Sequence, residues 1–200
     1  MNKEVNKVEI PFKTDILIAG VGGQGTILTG RVIAALAMAE GLDVKTAETH
    51  GMAQRGGSVI THVRIAKKVY SPLIPQGDGD ILLSFEKLEA LRWLPFLRSE
   101  GTVIVNTQEL DPMPVLTGQA EYPDNVLKEI EDKAGRLIAV DALNIGPVKK
   151  NPRVVNTFLL GILGRLMPFE KEKWLQILDR EIKASLVEIN KESFEAGWHY

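Results

Sequence analysis

One segment near the N-terminus limits the possible folds of this chain more than any other. A short apolar run, Asp15–Gly20 (DILIAG), leads directly into the glycine-rich segment Gly20–Gly25 (GVGGQG). A helical pattern then covers Thr26–Glu40 and ends at Gly41, a residue type that often follows the last turn of a helix. The order predicts a buried strand, a tight turn and a helix.

The next hundred residues alternate short apolar runs with helical patterns. Strands are predicted over Asp43–Glu48, Ser58–Ile65, Ile81–Phe85, Thr102–Asn106 and Leu137–Val140, and helices over Glu86–Leu94 and near Asp124–Lys133. Near-continuous apolar strands that alternate with helices are typical of a mostly parallel sheet with helices on both faces. The predicted fold class is therefore α/β and Rossmann-like.

From residue 151 onward the sequence predicts helices only. Asn151 and Pro152 offer an N-cap followed by a proline at the first helical position, and further helices are predicted over Glu170–Ser185 and up to about Gly197. We expect residues 1–200 to form a single domain, with about 151–200 as its helical C-terminal part. The apolar residues of Thr26–Glu40 lie on nearly all sides of the helix, which predicts a cover besides the sheet, from a neighbouring helix or from a partner subunit.

Composition excludes several classes of function. The chain has 200 residues, no cysteine and a formal net charge of −2. Without cysteine it can hold no disulfide and no cysteine-ligated iron–sulfur cluster, so any cluster used in electron transfer must belong to another chain. The charge argues against a nucleic-acid partner. Because neither a signal peptide nor a membrane-spanning stretch is predicted, we expect a cytoplasmic protein with no membrane partner.

The segment Gly20–Gly25, the first glycine loop, matches the pattern G-x-G-x-x-G between a strand and a helix. Glycines let the backbone approach a ligand, and the N–H groups of the helix N-terminus attract an anion. Glu48 follows about 20 residues later, where a dinucleotide site needs an acid for the ribose. The pattern is thus compatible with NAD or flavin binding, and also with glycines that only allow close packing of the helix or of a partner chain.

A second glycine loop, His50–Gly57, follows the next strand. Loops at the carboxyl ends of parallel strands form the ligand crevice, so both glycine loops should lie at one edge of the sheet. Arg55 beside glycines suits a carboxylate or phosphate. His50 is a weak candidate for acid–base chemistry, and no catalytic residue is assigned. The candidate ligand- or partner-facing residues are Gly20, Gly22, Gly23, Gln24, Gly25, Glu48, His50, Gln54, Arg55, Gly56 and Gly57.

Two stretches taken together, DILIAGVGGQGTILTGRVIAALA and AETHGMAQRGGSVITHVRI, resemble the gamma-type domain of pyruvate and other 2-oxoacid:ferredoxin oxidoreductases. Within this family, THGMAQRGGSV is most similar to the beta subunits of the indolepyruvate ferredoxin oxidoreductase branch. The resemblance continues through GDGDILLSFEKLEALRWLPFL, TVIVNT, VDALNIG and NTFLLGILGRL, so it covers nearly the whole chain.

The resemblance implies an oxidoreductase that is active only as a complex. Such enzymes oxidatively decarboxylate arylpyruvates with coenzyme A, giving an aryl-acetyl-CoA, carbon dioxide and reduced ferredoxin. Thiamine diphosphate and the [4Fe–4S] clusters then belong to a large alpha subunit, and this chain holds no cofactor. Both glycine loops would face that subunit, where Gln24, His50, Gln54 and Arg55 would shape the access of substrate or coenzyme A. A stand-alone NAD- or flavin-binding oxidoreductase and a purely structural assembly subunit are the alternatives.

Overall fold

The computed structural model describes residues 12–51 and 57–200 of the chain. The strands are β1 (Thr14–Val21), β2 (Asp43–His50), β3 (Ser58–Ala66), β4 (Gly79–Ser84), β5 (Leu97–Asn106) and β6 (Arg136–Val140). The helices are α1 (Thr26–Ala39), α2 (Lys87–Trp93), α3 (Met113–Leu116), α4 (Val126–Glu131), α5 (Gly146–Lys150), α6 (Val155–Leu166), α7 (Lys171–Glu181) and α8 (Val187–Trp198). Within these residues, no helix is long and apolar enough to cross a membrane.

All six strands form one sheet in the order β2-β3-β1-β4-β5-β6. β1, β4, β5 and β6 are parallel to one another, whereas β3 is antiparallel to both of its neighbours, β1 and β2. The predicted mostly parallel sheet is therefore confirmed, with β3 as an exception that the sequence pattern did not reveal. Because β3 reverses the chain direction twice, β1 and β2 point the same way and end at the same edge.

Helices cover both faces of the sheet, as predicted. Ile16 and Ile18 pack on one face with residues of α1, α6, α7 and α8. Leu17 and Ala19 point to the opposite face and pack with residues of α2 and α4, because successive side chains of a strand alternate between faces. α1 contacts α6 and α7 as well as the sheet. Neighbouring helices therefore supply the second cover that the apolar pattern of α1 predicts.

The C-terminal helices α6 and α8 cross in close contact. A Cβ atom at Gly197 would lie 1.9 Å from the carbonyl oxygen of Phe158, and one at Gly161 would lie 2.1 Å from that of Phe194. Phe158, Phe194 and Trp174 are fully buried. Glycine is thus required on both helices for this crossing, which fixes the position of α6.

Gly197→Ala is expected to lower the free energy of unfolding by about 3 kcal/mol or more, because the added methyl group meets a backbone carbonyl. Gly146→Ala is the matched control, since a Cβ at Gly146 has nothing within 4 Å. Urea unfolding of the two variants measures the difference. Equal stabilities would contradict the close contact of α6 with α8.

His62 is a buried titratable group on β3, and its Nδ1 accepts a hydrogen bond from Ile74 N at 3.2 Å. Burial, together with the charge of Arg64, lowers the pKa of His62 below its ordinary value of 6.5. A lowered pKa in the folded state means that the unfolded chain takes up the proton first. The stability contributed by neutral His62 is therefore present above pH 6.5 and is lost as the pH falls from there toward the folded pKa.

His62→Gln is expected to make the free energy of unfolding less dependent on pH. Loss of the packed imidazole ring should also lower this free energy at every pH. Between about pH 7.5 and pH 5, the wild type should lose more unfolding free energy than the variant. Urea unfolding at both pH values measures the two losses. A variant that loses as much as the wild type would show that His62 does not carry this pH dependence.

Candidate functional site

The two glycine loops meet at the carboxyl edge of the sheet, as the sequence predicts. Val21, the last residue of β1, pairs with Ser58, the first residue of β3. Next to this pair, Gly22 N donates a hydrogen bond to Gly57 O at 2.9 Å. The contact arises from the antiparallel pairing of β1 with β3. Of the predicted second-loop residues, Gln54, Arg55 and Gly56 lie outside the described residues.

The first glycine loop has the backbone of a tight turn. Gly23 and Gly25 have φ angles of +103° and +91°, which residues with a Cβ atom rarely adopt. Gly25 is the N-cap of α1 and, as a glycine, has no side chain that could cap the helix. The N–H groups of a first helical turn have no acceptor within the helix and attract anions.

The side chain of Gln24 holds the loop against the neighbouring strands. Its Oε1 accepts a hydrogen bond from Val21 N at 2.7 Å. Its Nε2 donates to Phe85 O at 3.4 Å and to Gln108 Oε1 at 3.3 Å. The fully buried Asn106 extends this set of amides, because its Nδ2 donates to Gln108 Oε1 at 3.5 Å and its Oδ1 accepts a backbone N–H beyond β6. Amide side chains thus join the carboxyl ends of β1, β4, β5 and β6.

A cavity of about 470 Å³ opens beside the first glycine loop, between the N-terminus of α1 and the start of α6. Its polar lining includes Gln24, Gln108, Arg153 and Asn156. Asn156 is only 4% exposed, and within residues 12–51 and 57–200 its Oδ1 has no hydrogen-bond partner. A buried acceptor without a donor is unfavourable, so Asn156 is a polar residue whose burial costs free energy at this position.

The start of α6 forms one wall of this cavity. A Cβ atom at Gly25 would lie 2.7 Å from Asn156 Nδ2, so the glycine allows α6 to approach the loop. Arg153 lies in a short 3-10 turn before α6, where Asn151 Oδ1 accepts a hydrogen bond from Arg153 N at 3.2 Å. A second cavity of about 470 Å³ adjoins the first, and Leu28, Arg153 and Asn156 line both. The two cavities therefore share part of their walls.

The sequence located the first glycine loop but not the residues that face it from the rest of the chain. Asn156 carries a signal that could have revealed it, since it is a polar residue among the buried positions Val155, Phe158 and Leu159. Arg153 and Gln108 carry no comparable signal. Their contribution depends on tertiary packing that brings distant segments to the loop.

The structure does not bring Glu48 next to the first glycine loop. β3 lies between β1 and β2, which places Glu48 two strands away, a lateral distance of about 10 Å. Glu48 and His50 are both exposed residues of β2, and they pair with Thr61 and Val59 of β3. An acid that binds a ribose must lie near the glycine loop. This geometry therefore argues against the dinucleotide alternative.

Buried carboxylates fix the start of β3 to α2. Ser58 Oγ donates a hydrogen bond to Glu89 Oε2, and Arg92 Nε donates to Glu89 Oε1 at 3.2 Å. Glu86, the N-cap of α2, accepts hydrogen bonds from Glu89 N at 2.8 Å and from the Tyr122 hydroxyl at 2.6 Å. Burial, followed by the hydrogen bond to Glu86, raises the pKa of Tyr122 well above its ordinary value. These groups therefore hold the edge of the sheet in place.

Residues 15–200 match the family model of pyruvate ferredoxin/flavodoxin oxidoreductases. Indolepyruvate oxidoreductase subunit IorB of Archaeoglobus fulgidus is 39% identical over 192 residues, which cover 94% of this chain and 95% of that protein. The IorB subunit of Thermococcus kodakarensis is 35% identical over 188 residues, which cover 92% of this chain and 93% of that protein. The sequence relationship therefore extends over nearly the whole chain.

Solved structures share the fold. The gamma subunit of keto/oxoacid ferredoxin oxidoreductase from Geobacter sulfurreducens superimposes with a TM-score of 0.67 at 22% identity, over 93% of this chain and 96% of that one. The 2-oxoglutarate:ferredoxin oxidoreductase from Magnetococcus marinus has a TM-score of 0.70 at 22% identity, and the match covers 94% of this chain but 30% of that longer one. From the family match and the IorB relatives, the chain belongs to the pyruvate ferredoxin/flavodoxin oxidoreductase family, and the resemblance to its indolepyruvate branch is confirmed.

Proposed function

We propose that this chain is the cofactor-free subunit of a thiamine-diphosphate-dependent 2-oxoacid:ferredoxin oxidoreductase that acts on arylpyruvates such as indolepyruvate. The 39% identity to an indolepyruvate oxidoreductase subunit supports this substrate class. The complex decarboxylates the oxoacid with coenzyme A, giving an aryl-acetyl-CoA, carbon dioxide and reduced ferredoxin. Thiamine diphosphate and the [4Fe–4S] clusters are assigned to a large alpha subunit, in keeping with a sequence that contains no cysteine.

The proposed contribution of this chain is to bind the anionic part of coenzyme A. The observation that carries this assignment is the cavity where the N-terminus of α1 and Arg153 converge. A phosphate group needs a cation and N–H donors, which Arg153 and the helix N-terminus supply. The Magnetococcus marinus protein was solved with coenzyme A bound, so coenzyme A is a ligand of that protein.

We assign both glycine loops to the surface that faces the alpha subunit. They are joined by the hydrogen bond from Gly22 N to Gly57 O, so a partner that covers one loop also reaches the other. Gln24 lines the cavity, and His50, Gln54 and Arg55 stay sequence-based candidates for shaping substrate access. This fold matches only 30% of the length of the Magnetococcus marinus chain, so in that protein it is joined to other parts of a longer chain. That arrangement supports a role for this chain in contact with a partner subunit.

Arg153→Gln is expected to weaken the binding of coenzyme A to the isolated chain by about tenfold, because a hydrogen bond to a charged group contributes about 1.5–3 kcal/mol. Isothermal titration calorimetry measures the dissociation constants. Lys149→Gln is the matched control, since it removes the same charge from an exposed position outside both cavities. The control should bind coenzyme A as the wild type does.

Steady-state kinetics of the complex with its alpha subunit separates this role from pure assembly. Arg153→Gln should raise the KM for coenzyme A while the KM for indolepyruvate stays unchanged. Two results together would favour the purely structural assembly subunit. The isolated chain would bind no coenzyme A, and Arg153→Gln would leave the KM of the complex for coenzyme A unchanged. Titration of the isolated chain with NADH tests the remaining alternative, because a stand-alone dehydrogenase must bind this cofactor without a partner.

A further inference from the structure

β1 and β4 are adjacent and parallel, but the helices that follow them cover opposite faces of the sheet. In open α/β sheets, the crevice between two such strands is the usual place for a ligand, because the loops diverge there. In dinucleotide-binding sheets, the pyrophosphate lies at this place against the first glycine loop. This chain has the glycine loop and the diverging strands in the same arrangement.

The side chain of Gln24 occupies this crevice. Its amide bridges Val21 N at the end of β1, Phe85 O just beyond β4, and Gln108 Oε1 beyond β5. Gln108 is held in turn by Asn106, which is fully buried. The bridge therefore spans the gap between the strands and is fixed at its far end.

The space that glycine leaves for a ligand is already used by the protein. A Cβ atom at Gly20 would lie 2.9 Å from Gln24 Oε1 and 3.0 Å from Phe85 Cδ2. Two N–H groups at the mouth of the crevice are also engaged. Val21 N donates to Gln24 Oε1, and Gly22 N donates to Gly57 O. A diphosphate could enter the crevice only by displacing the Gln24 amide and breaking these hydrogen bonds.

We propose that Gln24 determines the ligand specificity of the first glycine loop by closing the crevice between β1 and β4, so that a phosphate-bearing ligand binds only in the cavity on the α6 side. The placement of the ligand on the α6 side rests on the proposed function, where Arg153 and the N-terminus of α1 bind the anion. The closure itself does not, because it follows from the space that the Gln24 side chain fills and from its hydrogen bonds. Loss of those hydrogen bonds makes binding in the crevice roughly a hundredfold weaker than in an open one.

Nuclear magnetic resonance of the full 15N-labelled chain, titrated with inorganic pyrophosphate, tests the proposal by location. In the wild type, we expect the signals of Gly25 and of the Arg153 side chain to move, while the backbone amides of Val21 and Phe85, which lie outside the lining of the cavity, stay in place. Movement of the Val21 and Phe85 amides in the wild type at the same pyrophosphate concentration would overturn the proposal. This comparison needs no variant, so it holds even if substitutions at position 24 prevent folding.

Two variants at position 24 separate filling of the crevice from hydrogen bonding. Gln24→Gly empties the crevice, and pyrophosphate should then move the Val21 and Phe85 amides with an affinity at least about tenfold higher than in the wild type. Gln24→Met keeps the side-chain volume without the amide, so it should continue to exclude pyrophosphate. A folded Gln24→Gly variant with no gain of binding at Val21 would overturn the proposal.

The outcomes also distinguish this proposal from the proposed function. If the signals of Gly25 and Arg153 fail to move in the wild type, the anion site on the α6 side is wrong. The gain of binding at Val21 in Gln24→Gly would still establish that Gln24 closes the crevice. The converse result is also informative. If coenzyme A binding depends on Arg153 while pyrophosphate reaches Val21 in the wild type, the proposed function is supported and the proposal that Gln24 closes the crevice is overturned.

Discussion

The insertion of β3 between β1 and β2 determines the rest of this structure. β3 runs antiparallel to both neighbours, so the chain turns back after β2 and pairs Ser58 with Val21 at the end of β1. That pairing brings the second glycine loop against the first and allows the hydrogen bond from Gly22 N to Gly57 O. The same insertion moves Glu48 two strands away from the glycine loop. The antiparallel direction of β3 thus brings the two glycine loops together at one edge of the sheet. It also moves Glu48 away from the position where a dinucleotide site requires an acid.

The ends of the parallel strands are closed by amide side chains instead of being left open. Gln24, Gln108 and Asn106 form hydrogen bonds across β1, β4 and β5, and Asn106 also reaches the backbone beyond β6. Amides suit this role because each carries both donors and acceptors without a charge that would need a counter-ion. The N-terminus of α1 borders the cavity toward α6. The position of the loop in the sheet is fixed by these hydrogen bonds.

The C-terminal helices are part of the site as well as of the core. The close crossing of α6 and α8 at Gly161 and Gly197 fixes the path of α6, and the start of α6 carries Asn156 to the glycine loop. Arg153 reaches the same cavity because the 3-10 turn before α6 ends beside it. Stability and the shape of the cavity therefore depend on the same helix. A change in the α6–α8 crossing would alter the cavity even though Gly161 and Gly197 do not line it.

Local pattern was sufficient for the six strands, the longer helices, the α/β fold class and the first glycine loop. Strands such as Asp15–Gly20 are short and apolar, and the glycine loop stands between a strand and a helix, whereas the short helices α3 and α5 were not predicted. The direction of β3 could not be read in this way, because an apolar alternating strand has the same pattern whether its neighbour is parallel or antiparallel.

The sequence by itself determined where a loop could approach an anion, since glycine, a preceding strand and a following helix are local features. Only the tertiary structure decided what that loop does. It placed Gln24 across the crevice, moved Glu48 away from it, and brought Asn156 and Arg153 to the other side. These arrangements depend on strand order and helix packing, which join residues far apart in the chain and leave no local pattern to read.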